Sequence, residues 1–181
     1  MQNQKKDSKT INFETDQQVM DRIATRFDIL HDMTKAVIAG DVRAMIVTGP
    51  PGVGKSYGVE KELDKSSMMD SIASRPIRYE VVKGAMTALG LYAKLYEHAD
   101  ANHVLVFDDC DSVLMDELSL NILKAALDSG KKRVLHWNAD STKLRSEGIP
   151  NKFEFKGGVI FITNVKFENI RSKKLQDHLE A

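Results

Sequence analysis

One octapeptide restricts this chain more than any other feature. Residues 49–56 read GPPGVGKS, with the apolar run AMIVTG (44–49) before it and KSYGVEKELDKS, which the spacing predicts as a helix, after it. The octapeptide fits G-x-x-x-x-G-K-[ST] and lies where that pattern has physical meaning, between a strand and a helix. Gly52 and Gly54 allow the backbone to turn so that successive N–H groups face one point, at the positive end of the helix, where phosphate oxygens are favoured. Lys55 would reach the β and γ phosphates of a nucleotide, and Ser56 would offer its hydroxyl to Mg²⁺. Gly49, Pro50, Pro51, Val53 and Tyr57 complete the loop and its exit into the helix. The alternative is a glycine-rich turn that binds nothing; strand, loop and helix in register argue against it.

A second stretch supplies the chemistry that such a loop needs. In HVLVFDDCD (103–111) four apolar residues run into Asp108 and Asp109, with a third carboxylate at Asp111. Carboxylates at the end of a buried strand are costly unless a cation or a partner neutralises them. Asp108 is expected to hold Mg²⁺ beside Ser56, mostly through water, and Asp109 to polarise an attacking water. An ordinary loop acid is the alternative for Asp109. Asp111 is expected to cap or solvate the turn before SVLMDELS rather than touch metal.

The rest of the chain alternates strands and helices. Val19, Ile23, Phe27 and Leu30 recur at helical spacing, and the run continues through Val37 and Ile38 to Gly40. IRYEVV (77–82), VLVFD (104–108) and VIFIT (159–163) read as strands; Ala88, Leu91, Tyr92, Leu95 and Ala99 share one helical face; Leu120, Leu123 and Leu127 mark a helix ending at Gly130. Such alternation implies an α/β fold with a mostly parallel sheet of about four core strands, covered by helices on both faces. RVLHW (133–137) and KFEFKG (152–157) flank a polar loop and read as a β-hairpin inserted before the last core strand. Residues 1–13 read as a disordered tail, 14–181 as one domain, and SKKLQDHLEA as a closing helix.

Composition removes several classes. With 181 residues, 42% hydrophobic, and formal net charge zero, the chain suits one globular domain with a real core and carries no global basic footprint. A single cysteine, Cys110, excludes an intramolecular disulfide and favours a reducing cytoplasm. No apolar run approaches the roughly 18 residues of a membrane span, so no membrane partner is expected. The histidines and Cys110 show no metal-ligand spacing.

Taken together, GPPGVGKS, VLVFDD and VIFITN resemble the AAA+ family of P-loop NTPases, in the region of phage and cellular replication ATPases such as clamp-loader subunits and helicase loaders. The match covers roughly residues 20–180. It implies Mg-dependent ATP binding and hydrolysis coupled to remodelling of DNA or a DNA-bound protein, in a homo- or hetero-oligomer whose interfaces complete the site. It also implies that Asn164, the polar residue after VIFIT, helps position the water, and that the base lies against the segment before the first strand, with Phe27, Ile29 and Leu30 as candidate walls; core packing is the equal alternative for these three.

The chain departs from the family pattern in two ways. Asp109 stands where the family usually has Glu, one methylene longer; a misplaced carboxylate of that kind can cost around 100-fold in rate. The expected alternative is therefore a hydrolysis-poor, nucleotide-dependent binding module or switch. The family core also has a fifth strand and a helical lid, which this sequence does not reach, so AMIVTG is expected at an exposed edge and the chain is read as the core of a longer ATPase. Arg171 is a candidate for the arginine finger that a neighbouring subunit would supply, with a surface arginine as the alternative. A small-molecule or polynucleotide kinase fits less well, because no acceptor lid is visible and VIFITN suits a water-positioning strand. Lys131, Lys132 and Arg133 are expected as a solvated turn, with a DNA-facing or subunit-facing hairpin as the other option. Trp137 is expected to pack in that hairpin rather than stack on a base. Met68 and Met69 read as part of a polar loop.

Overall fold

Two strands with no polar residue before their last position must be buried on both sides, and they occupy the middle of the sheet. In a computed structural model describing residues 14–128 and 130–165, β3 (Val104–Asp108) and β6 (Gly158–Thr163) are buried at every position. They pair in parallel, flanked by β1 (Ala44–Thr48) on one side and β2 (Tyr79–Lys83) on the other, in the order β1-β6-β3-β2. The fold is α/β with a parallel four-stranded sheet between helices. The predicted segments 1–13 and SKKLQDHLEA, and Arg171, lie outside the described residues. No helix among the described residues is long and apolar enough to cross a membrane.

Alternation sorts the side chains onto two cores. Val104, Val106, Ile160 and Ile162 face α1 (Asp16–Ala39) and α2 (Lys55–Ile72), meeting Val37, Val59 and Leu63. Leu105, Phe107, Val159 and Phe161 face the opposite layer, which holds α3 (Ala88–Glu97), the single turn α4 (Ser112–Met115) and α5 (Glu117–Leu127). Each of these buried side chains contributes about 1.5–3 kcal/mol by leaving water. The helix before the first strand starts where its chemistry dictates. The hydroxyl of Thr15 accepts from the N–H of Gln18 while the side chain of Gln18 accepts from the N–H of Thr15, and Gly40 ends the helix at φ 84°.

Several expectations need correction. α2 continues to Ile72, so Met68 and Met69 are exposed helical residues rather than loop residues. AMIVT, whose unbroken apolar run reads as a buried strand, buries only Met45 and leaves Ile46 39% exposed, because β1 lies at the edge of the described sheet, where the missing fifth strand puts it. The hairpin exists, but as part of the core. β4 (Val134–His136) pairs antiparallel with β5 (Lys152–Glu154), and the connection carries a short helix, α6 (Thr142–Ser146). Leu135, Leu144, Ile149 and Phe153 sink into the layer of α3 and α5, and Trp137 packs against Tyr92 with ring centroids 5.6 Å apart.

Arg133 is not part of a solvated turn. It is 4% exposed, donates to the carbonyls of Ala126 at 2.9 Å and Gly157 at 2.7 Å, and lies over the Phe155 ring. Lys131 and Lys132 alone remain exposed. The guanidinium ties the end of α5 to the segment entering β6, and burial lowers its pKa.

Candidate functional site

Parallel strands end on the same side, so the registers fix what meets there. Thr48 pairs with Thr163, Asp108 with Ile162, and Lys83 with Asp108, which sets four strand ends in one row at their carboxyl termini. Open α/β sheets bind ligands outside this edge.

The glycine-rich loop leaves β1 and enters α2 there. Gly52 (φ 77°) and Gly54 (φ 90°) occupy the left-handed region, so the expected need for glycine at both is met by the backbone. A Cβ on Gly54 would also stand 3.2 Å from the Phe27 ring, which places α1 across the end of the loop. Closer still, a Cβ on Gly58 would come within 2.9 Å of Leu30, so glycine at this position lets the two helices touch.

Three chain segments converge on the loop. Lys55 Nζ donates to the carbonyls of Gly49 at 2.8 Å and Pro50 at 2.9 Å, and to Asn164 Oδ1 at 2.8 Å. Asn164 Nδ2 in turn donates to Asp109 Oδ1 at 2.8 Å. Asp109 holds an unusual backbone, φ 54°, and its N–H donates to the carbonyl of Ile162 at 3.1 Å. Aspartate tolerates that region better than most residues. A cavity of about 300 Å³ is lined by Pro51, Gly52, Gly54, Lys55, Ser56, Tyr57, Asp109 and Asn164, so these sequence candidates share one space. Tyr57 is 69% exposed at its mouth.

Asp108 stands just inside this row. It is 4% exposed, and its Oδ1 accepts from the Ser56 hydroxyl at 2.8 Å. A hydroxyl and a carboxylate so placed are hard oxygen donors of the kind that suit Mg²⁺. Asp111, expected to cap or solvate the turn, instead accepts from the Thr163 hydroxyl at 2.5 Å and makes no side-chain cap for α4. Thr163 also accepts from the N–H of Val165 at 2.9 Å, which brackets Asn164 on both sides.

A larger cavity, about 510 Å³, opens beside the loop, where Ile23, Phe27, Leu30, Val47, Pro50 and Val53 supply apolar walls and Arg26 and Lys55 polar ones. Phe27 and Leu30 line it, whereas Ile29 is 58% exposed and does not.

Sequence reasoning passed over Lys83. Its Nζ lies 2.7 Å from Glu60 Oε1 and 3.2 Å from Asp108 Oδ2, and its pKa is raised, first by the bond to Glu60 and then by that to Asp108. The available signal was a lysine ending a strand next to VLVFD. Among the described residues Glu80, Glu97 and His98 also gather closely enough to hold a cation, but Lys94 already bridges both glutamates.

These features define an α/β protein with a glycine-rich strand-to-helix loop facing paired carboxylates. No family model matches the chain. The chain is similar to a protein of Enterobacteria phage T4 whose name reads "Uncharacterized 36.7 kDa protein in nrdC-mobD intergenic region", with 39% identity over 162 residues. The match takes in 88% of this chain and 48% of that protein, so the chain spans about half the length of the curated relative it matches. A phage protein is thus among its relatives.

Proposed function

We propose that the chain is the core of an AAA+-type P-loop ATPase that binds Mg-ATP and hydrolyses it to remodel DNA or a protein partner. The observation that carries this reading is the bridge through Asn164, which joins Lys55 to Asp109 with two bonds of 2.8 Å. The bridge links the phosphate loop, the end of β3 and the end of β6 at the point where a γ-phosphate and its attacking water would meet. Lys55 would exchange its loop carbonyls for phosphate oxygens. Asn164 and Asp109 would hold the water in line. Ser56 and Asp108 would hold Mg²⁺, which when bound neutralises the phosphate oxygens. The apolar cavity under α1 would take the base. Homo- or hetero-oligomer contacts would complete the site with an arginine.

A second reading, a nucleotide-dependent switch with little turnover, is favoured by Asp109 itself. Its carboxylate is short, and Asn164 already occupies Oδ1. Mg-dependent ATP hydrolysis measured against protein concentration, with Lys55→Ala as the blank, separates the two. A specific rate that rises with concentration supports the ATPase; tight ATP binding with no turnover, in the wild type and in Asp109→Glu alike, supports the switch. Absence of nucleotide binding refutes both.

A further inference from the structure

The buried carboxylate of Asp108 has both oxygens engaged by the chain itself. Ser56 holds Oδ1, and Lys83 faces Oδ2 at 3.2 Å. The sheet fixes this neighbour, because Lys83 and Asp108 are register partners at the ends of β2 and β3. Glu60, one helical turn after Ser56 on α2, accepts from the same lysine at the shorter distance of 2.7 Å. The lysine side chain is 58% exposed and that of Glu60 38%, whereas that of Asp108 is 5% exposed. One movable cation is thus shared between a buried anion in the candidate metal site and a surface anion outside it.

We propose that Lys83 is a placeholder cation at Asp108, and that a divalent ion arriving with nucleotide drives it onto Glu60 alone. The inference rests on the nucleotide-binding reading above. A carboxylate with so little access to water needs a counter-charge whenever no metal is present. Lys83 supplies it. A divalent ion between Asp108 and Ser56 makes the lysine redundant and repels it, and Glu60 keeps the displaced charge paired. The rival role, in which Lys83 orients Asp108 for the metal as outer-shell residues commonly do, predicts the opposite sign on mutation.

The test uses the full chain with a saturating non-hydrolysable ATP analogue and Mn²⁺ as the probe, free ion being counted by electron paramagnetic resonance. Lys83→Met is expected to tighten Mn²⁺ binding about tenfold, the scale of a tuned outer-shell charge, and Lys83→Gln to act in the same direction. Glu60→Gln is expected to weaken binding several-fold, and to have no effect once Lys83 is Met. Thermal melts should show Lys83→Met destabilised without divalent ion and restored with it. Weaker or unchanged Mn²⁺ binding in both lysine variants overturns the proposal, as does a Glu60→Gln effect that persists in the Lys83→Met background. Nucleotide binding in the presence of Mg²⁺, lost in Lys55→Ala, is measured first. Its absence from the wild type overturns the underlying reading as well, while its presence with the wrong sign at Lys83 overturns the placeholder alone.

Discussion

Replacing Phe27 with alanine should separate recognition of the base from recognition of the phosphates. The ring forms part of the wall of the 510 Å³ cavity, and its edge lies 3.2 Å from where a side chain on Gly54 would begin. A base entering beside the loop would therefore meet this ring. Aromatic contacts with bases are worth about 1–3 kcal/mol when truncated to alanine, which corresponds to about 5- to 150-fold in Kd. Inorganic tripolyphosphate has no base, so its affinity should be unchanged. Phe27 is half-buried, so the variant should lose about 1–2 kcal/mol of stability, measurable by urea unfolding and small enough to leave the chain folded. Competition titrations of ATP and tripolyphosphate against a fluorescent ATP analogue give both affinities. An equal loss for the two ligands, or no loss for ATP, would refute the assignment of this cavity to the base.

Arg133→Met removes two charge-assisted donors and leaves the carbonyls of Ala126 and Gly157 without them, partly offset by relief of a buried charge. A loss of about 2–4 kcal/mol by urea denaturation is expected, against less than about 0.5 for Lys131→Ala or Lys132→Ala, because the latter two are surface positions. Thr163→Val breaks the bond to Asp111 and frees the strand end that carries Asn164. Turnover should fall about 10- to 100-fold with ATP affinity little changed, since a misplaced positioning residue acts on kcat. Burial pushes the Cys110 thiol from 9.0 up to about 11. A raised pKa means that the fold favours the neutral thiol: its contribution is complete below about pH 9 and is lost as pH rises toward 11. Iodoacetamide labelling at pH 8 should therefore wait for unfolding, and stability should decline across that alkaline window.

The glycine-rich turn was legible because its pattern is local: glycines at Gly52 and Gly54, a strand before and a helix after specify a turn without reference to the rest of the chain. The parallel sheet was legible from VLVFD and VIFIT, whose unbroken apolar character reports burial on both faces. Arg133 was misread for an instructive reason. A basic run signals solvent on average, yet one of its three residues has its donors satisfied by carbonyls that are distant in sequence, and no composition rule sees those carbonyls. The same limit hid the Thr163–Asp111 bond, whose partners are 52 residues apart. Lys83 escaped notice because its meaning depends on register: a lysine at a strand end is ordinary until the sheet sets it beside Asp108.

The first helix is a single rigid rod serving two masters. At Phe27 it rests on the glycine-rich loop; ten residues later, about 15 Å along its axis, Val37 presses on Gly158, where an added Cβ would come within 2.8 Å of its Cγ1. Gly158 begins the strand that ends in Thr163, just before Asn164. An unbroken helix without proline does not readily kink between these points. On the nucleotide-binding proposal, a base pressing on Phe27 would load the root of β6 through this rod, and Asn164 would stand at the other end of the same helix-to-strand linkage.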